Sequence, residues 1–237
     1  MITVAIVGGD GAGKTTIAKK LEQSFPFPVK YLYMGISTRS SNHALLTSRL
    51  VLLLKQRSYK IRVRKSGIVP TEYIPAHDLE YGQKERGSVW TAARFLNRFL
   101  EAWYRQLISL YYQARGYLVV YDRHPLFDMA PLPADEATQR KQKLDAFCHW
   151  IIRHAFPKPH MAILLDAPAK VIYERKGEAT VKYLNRQRRV FLEQGKWVET
   201  FVQIDATQTL DKVLEDVMQH IMEFQASKRN QKLEGDH

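Results

Sequence analysis

A run near the start of the chain, Gly8-Gly9-Asp10-Gly11-Ala12-Gly13-Lys14-Thr15-Thr16, combines four glycines with a lysine and two hydroxyls. Gly8, Gly13, Lys14 and Thr15 satisfy the spacing G-x-x-x-x-G-K-[ST]. Glycines let backbone N–H groups turn inward around phosphate oxygens without a Cβ clash. A helix opening at Lys14 adds the positive end of its dipole. In such a loop the lysine ammonium reaches the β- and γ-phosphates, and the Thr15 hydroxyl binds Mg²⁺. The bare pattern also arises by chance. Here it follows an apolar run and opens a helix pattern, which is the context the chemistry needs. Residues 8–16 are therefore the expected nucleoside triphosphate site.

Three further features bear on what receives the phosphate. "VVYDRH", Val119 to His124, ends an apolar strand pattern in Asp122 and Arg123. Ligands of open α/β sheets sit at that carboxyl edge. Asp122 can hold Mg²⁺ through water or accept a proton, and Arg123 can clamp a phosphate bidentately. His124 can act as a general base or simply pack or cap. Next, "ERKGEATVKYLNRQRR" places Arg175, Lys176, Lys182, Arg186, Arg188 and Arg189 on two helices and their joint. A mobile arginine stabilises the charge spread over a transferring phosphoryl group. A lid is therefore expected at about 174–192. Arg186 and Arg189 share a helix face, whereas Arg188 points elsewhere. Finally, the carboxylate of Asp10 would be repelled by bound phosphates unless it faced Mg²⁺, a basic group or an acceptor hydroxyl, and it is expected to point towards the acceptor.

Strands and helices alternate, which predicts an α/β fold: a three-layer arrangement with a five-stranded, mainly parallel sheet flanked by helices. "ITVAIVG", "VKYLYMG", "GYLVVYD", "HMAILLD" and "TFVQIDA" read as the strands. Ser88 to Ala114 has helical periodicity in Trp90, Ala93, Phe95, Leu96, Phe99, Leu100, Trp103, Leu107 and Leu110. Thr207 to Phe224 reads as the last helix, with Thr207 as N-cap. Residues 1–226 form one expected domain, with a variable basic insertion at about 36–87 and a frayed polar tail at 227–237.

The chain has 237 residues and a formal net charge of +12, which favours anionic partners. Its mean hydropathy of -0.34 fits a soluble globular protein. No apolar run approaches the roughly 18 residues that cross a bilayer. No signal peptide pattern stands at the start. The single cysteine, Cys148, excludes an internal disulfide and a cysteine metal cluster, and points to a reducing, cytoplasmic compartment. Cys148 itself reads as a small buried hydrophobe. Lys55 to Lys65 carries six basic residues in eleven, beside the apolar Leu45 to Leu54. That pair could lie on an anionic membrane surface or flank a substrate cleft. No nucleic-acid recognition motif accompanies the charge. The apolar face of Ser88 to Ala114 could serve a homodimer as well as a core.

In "GGDGAGKTT", "DRH", "LLDAPAKVIYER", "YLNRQRRVFLE" and "IDATQTLDKVLEDV" the chain resembles the thymidylate kinase family of nucleoside monophosphate kinases, and it does so in outline over most of its length. The resemblance implies ATP as donor, with Mg²⁺. It implies that Lys14 and a lid arginine act on the transferred group; Arg186 is the catalytic candidate, with Arg175 and Arg189 beside it in the lid, and which of them acts stays open. Asp10 matches the acid that this family carries in its phosphate loop. By the same analogy Arg123 holds the acceptor phosphate, Asp122 positions Mg²⁺ or the acceptor, and Arg94 in "VWTAAR" contacts the substrate. The departures all fall on the acceptor side. The family's Arg-Glu-Pro-Gly-Gly segment is replaced by "MGISTRSSNH", and its Ala-Tyr-Gln-Gly segment by "PLFDMAPLPADEA". The expectation is an ATP-dependent phosphotransferase whose small-molecule acceptor is a nucleotide or a replacement for one. The alternative is a nucleotide-binding regulatory or membrane-associated protein with weak ATPase activity.

Overall fold

The computed structural model describes residues 2–35, 43, 45, 57, 88–130, 139–177 and 179–235. The basic stretch 55–65, apart from Arg57, lies outside the described residues. So do most of the apolar stretch 45–54 and residues 131–137 of the replaced acceptor-side segment. The chain falls into two compact units, residues 1–35 with 106–237, and residues 36–105.

The first unit is built on five parallel strands in the order β2-β3-β1-β4-β5. These are β1 (Thr3–Gly8), β2 (Val29–Tyr33), β3 (Leu118–Asp122), β4 (Met161–Asp166) and β5 (Thr200–Asp205). β1, β3 and β4 are buried along their whole length, as expected of central strands covered on both faces. The helices are α1 (Lys14–Ser24), α2 (Ser88–Ala114), α3 (Pro125–Asp128), α4 (Gln139–Ala155), α5 (Ala169–Lys176), α6 (Val181–Gln194) and α7 (Leu210–Gly235). α2 begins in the second unit and ends in the first. Every strand proves parallel.

Side chains alternate across the sheet, and the two faces have different covers. Val4, Ile6, Val29, Leu118, Val120, Met161, Ile163 and Ile204 share one face with Ile17, Ala18 and Leu21 of α1 and Val213, Val217 and Ile221 of α7. Each such aliphatic group contributes roughly 1.5–3 kcal/mol by leaving water. The opposite face carries aromatics. Phe127 of α3 lies 6.2 Å from Phe191 of α6 and 6.3 Å from Phe201 of β5, ring centre to ring centre. Tyr121 meets Ser109 of α2 there, oxygen to oxygen at 2.7 Å.

Two expectations at the C-terminus change. Thr207 does not cap the last helix: its N–H and hydroxyl both donate to Asp205 Oδ1, closing a turn, and the helix starts at Leu210. The expected frayed tail is helical as far as Gly235, because Ala226 to Glu234 contains good helix formers and no glycine or proline.

In the second unit Glu101 and Arg105 form a buried ion pair at 2.9 Å, one helical turn apart. Arg105 also donates to the His43 carbonyl, and the Leu45 N–H donates to Glu101. The side chains of Trp90 and Arg94 lie outside the described residues, although the α2 backbone passes through both positions.

Candidate functional site

The sheet order brings the sequence-predicted residues to one edge. β1 is central, with β3 and β4 on either side. The chain leaves β1 into the glycine loop at the point where strand order reverses, which is where open α/β sheets bind ligands. Gly8 has φ 146°, and a Cβ there would stand 2.6 Å from the Leu165 carbonyl oxygen, so the loop can pass β4 only with a glycine. Gly13 has φ 87° and precedes α1 in the left-handed region. Between them the Ala12 N–H donates to the Gly9 carbonyl at 3.1 Å, tightening the turn. Gly11 lies against α5: a Cβ would touch Lys176 at 3.4 Å and Ile172 at 3.6 Å. Thr16 is exposed on the first turn of α1.

Lys14 is buried inside this loop. Its ammonium donates to the Gly9 carbonyl at 2.7 Å and to Asp10 Oδ1 at 3.4 Å. Burial lowers its pKa, and so does neighbouring Arg123, while Asp10, Asp128 and Asp122 pull the other way.

Asp122 ends β3 beside Ile6 of β1. It is fully buried. Its Oδ2 accepts from the Thr15 hydroxyl at 2.6 Å and from the Tyr31 hydroxyl at 3.1 Å. Its Oδ1 is buried and has no hydrogen-bond partner among the described residues. An orphaned carboxylate oxygen beside a threonine hydroxyl suits Mg²⁺, which takes one or two protein oxygens and completes its shell with water and phosphate. Among the described residues no cluster of three or more acidic, histidine or cysteine groups could hold a metal by protein ligands alone. Thr15 and Asp122 would hold Mg²⁺ together with the donor phosphates. Tyr31 is a residue that the sequence reading missed. Its pKa is raised by burial and by the Asp122 charge, so it stays a donor. A tyrosine placed among the aliphatics of a buried strand was its only signal.

Arg123 adopts φ 72°, a conformation uncommon for a side chain other than glycine. Its N–H donates to the Ile6 carbonyl at 3.0 Å. One end of the guanidinium pairs with Asp10 Oδ1, and the other lies 3.8 Å from Asp128 Oδ2. A Cβ on Gly35 would run into Arg123 Cδ and the Tyr33 hydroxyl, so Gly35 leaves the room that Arg123 fills. Burial would raise the Asp10 pKa, but Lys14 and Arg123 outweigh it and hold the carboxyl well below its usual range. For Arg123 burial works downward, and Asp128 and Asp10 outweigh it, keeping the guanidinium charged. The Asp128 carboxyl is pushed up to about 6 by burial, against the pull of Arg123 and Lys14. Neither Asp128 nor Gly35 was a sequence candidate.

His124 caps α3: its Nδ1 accepts from the Leu126 N–H at 3.2 Å. It is buried between Tyr121 and Phe156, and burial pushes its pKa down to about 3. Of the two roles open to it, the structure shows capping and packing.

The helices of the expected lid separate their arginines. Arg188 binds Asp166 at the end of β4 with two contacts of 2.6 Å, and Gln203 donates to the same carboxylate at 2.7 Å. Arg175 donates to the Ala206 carbonyl at 2.9 Å. Arg186 is half-buried and Arg189 exposed. The face division read from spacing therefore separates Arg188, which is tied to the sheet, from Arg189, which faces solvent. No described helix is long and apolar enough to cross a membrane. No protein-family model matches the chain, and no curated protein matches it.

Proposed function

We propose that the protein is an ATP-dependent phosphotransferase of thymidylate kinase-like type, moving the γ-phosphoryl group of Mg-ATP to a nucleoside monophosphate or another small-molecule acceptor. One observation carries this reading. Thr15 and Asp122, 107 residues apart in sequence, meet at 2.6 Å beside a buried lysine in a glycine loop. A purely structural glycine turn requires neither the buried ammonium nor the orphaned carboxylate oxygen. Bound Mg²⁺ would offset charge on the donor phosphates. The chain's own contribution is positioning and electrostatics: Lys14 meets the transferred group, the loop N–H groups hold the phosphates, and Asp122 and Thr15 fix the cation. Arg186 and Arg189 share one face of α6, and they supply charge to the transferring group on this reading.

The test is ADP release with Mg-ATP against a panel of nucleoside monophosphates, nucleosides and sugars, with the Lys14→Ala protein as blank. Turnover at roughly 1–100 per second for one acceptor, absent from the blank, is the expected result. Equal ADP release from both proteins would remove Lys14 from the chemistry and the reading with it.

A further inference from the structure

We infer that the acceptor is a neutral hydroxyl compound, a nucleoside or a sugar without a phosphate, and that Asp128 sets this choice. The inference rests on the phosphotransferase reading and narrows it. Its basis is the company Arg123 keeps. One nitrogen is paired with Asp10 and the other faces Asp128, so two carboxylates bracket one guanidinium. The side chain has little room to leave them. Its backbone is held by the Ile6 carbonyl in a left-handed conformation, and its Cδ fills the space that Gly35 leaves open. The three groups together carry a net charge of about -1 when both acids are ionised. A phosphorylated acceptor would add about -1.5 to -2 beside them. Lys14 also pairs with Asp10, but on the present reading its ammonium is taken up by the donor phosphates and is not left to offset an acceptor phosphate.

A hydroxyl group meets the opposite situation. Lys14 and Arg123 both engage Asp10 through Oδ1, which leaves Oδ2 to accept. Asp128 Oδ2 is buried, with the side chain 9% exposed, and has no hydrogen-bond partner among the described residues. A sugar or ribose ring carries several hydroxyls, and such groups donate to carboxylate oxygens. One of them is the nucleophile, set by Asp10, which lies 3.4 Å from the ammonium that meets the γ-phosphoryl group. The hydroxyl oxygen bonds to the γ-phosphorus, and the bond from that phosphorus to the β–γ bridging oxygen breaks. ADP leaves with the electron pair, and the hydroxyl proton passes to the Asp10 carboxylate and on to water. The proton leaves late in a loose transition state, so a weakly basic carboxylate is enough.

Matched pairs test this: thymidine and thymidylate, adenosine and its 5′-monophosphate, glucose and glucose 6-phosphate. Each is offered with Mg-ATP to the full chain, and products are read by phosphorus NMR. The expected result is a kcat/KM at least about tenfold higher for the neutral member of an active pair. Asp128→Asn should lower kcat/KM for that member and raise it for the phosphorylated one, with Mg-ATP affinity unchanged. A fall for both members alike would make Asp128 merely structural and overturn its role. Preference of the wild-type chain for a phosphorylated member would overturn the inference and leave the kinase reading standing. Mg-ATP binding without transfer to any member would overturn both.

Discussion

Asp122 and Asp166 end the two strands that flank β1, and they are used differently. Asp122 points to the sheet face that α1 covers. It receives two neutral hydroxyls on one oxygen and, among the described residues, nothing on the other. Asp166 points to the opposite face, where both oxygens are taken by Arg188 and one also by Gln203. The Arg188 hydrogen bonds come first among the causes that hold the Asp166 carboxyl below its usual pKa. A saturated carboxylate does structural work, fastening α6 to the sheet edge. An unsaturated buried one leaves an acceptor open, which on the proposed reading a cation fills. The type of residue at a strand end therefore does not decide its role, whereas the count of filled lone pairs does.

The comparison breaks most visibly at Asp122. Asp122→Asn should reduce phosphoryl transfer by on the order of 100- to 1,000-fold, as should Lys14→Ala, since each removes one preorganised electrostatic contact. Thermal stability should hold or rise for Asp122→Asn, because an unpaired buried charge disappears. Enzyme assay and calorimetry on the same protein check both halves. An Asp122→Asn protein that turns over normally would place the cation elsewhere.

Asp166→Asn should show the reverse pattern. The ion pair is strong in geometry but Arg188 is 43% exposed, so its loss should destabilise the fold by only about 1–2 kcal/mol. That corresponds to a fall in Tm of roughly 2–8 °C in a chain of this size. Transfer at saturating substrate should fall less than about tenfold. A loss of transfer as large as for Asp122→Asn, with Tm unchanged, would place Asp166 in the chemistry and dissolve the distinction.

The sheet, the loop and the two helices after β4 were legible because each is encoded locally. Apolar runs of strand length, a glycine loop of fixed spacing and a 3.6-residue periodicity need no knowledge of distant partners. Asp122 was legible for the same reason, standing where an apolar run stops. The partners that decide its role were not. Tyr31 reaches Asp122 because β2 pairs with β3, and that order is a property of the assembled sheet. Gln203 reaches Asp166 because β5 pairs with β4, and Arg188 reaches the same carboxylate from α6. Spacing separated Arg188 from Arg186 and Arg189 without saying what it would meet. Asp128 was hidden because a four-residue helix has no periodicity to read, and only its His124 cap and Pro125 start announce it. The misplaced start of α7 has a local cause: Asp205 and Thr207 form a turn that competes with the cap expected at Thr207.

The fastening of α6 has a second, smaller part. Thr180 Oγ1 accepts from the Tyr183 N–H at 3.2 Å and caps the helix that carries Arg188. Thr180→Ala should cost about 1 kcal/mol of stability. Combined with Asp166→Asn, the two losses should exceed their sum if cap and ion pair hold the same helix against fraying. Strict additivity in a double-mutant cycle would show that they act independently.

The smallest expected effect lies at the other end of β1, where a polar group is hydrogen-bonded as Asp166 is but belongs to an imidazole. His160 Nδ1 accepts from the Thr3 N–H at 3.1 Å, and the His160 N–H of the main chain returns a bond to the Thr3 hydroxyl at 3.2 Å. An imidazole that accepts at Nδ1 cannot be protonated there, and burial also lowers its pKa. The folded pKa thus lies below the unfolded value of about 6.5, so the unfolded chain takes the proton first. The contribution of His160 is complete above that value and is lost as pH falls below it. His160→Asn keeps an acceptor for Thr3 and does not titrate. The variant should therefore gain up to about 1 kcal/mol on the wild type between pH 6.5 and 4.5. The difference between the two proteins is the quantity to measure, since His124 and His149 add to the acid loss and Asp128 opposes it. Parallel stability curves for the two proteins across that range would mean that protonated His160 is tolerated, with Thr3 satisfied by another acceptor. Saturation at this end of β1 would then be incidental, in contrast to the pairing of Asp166.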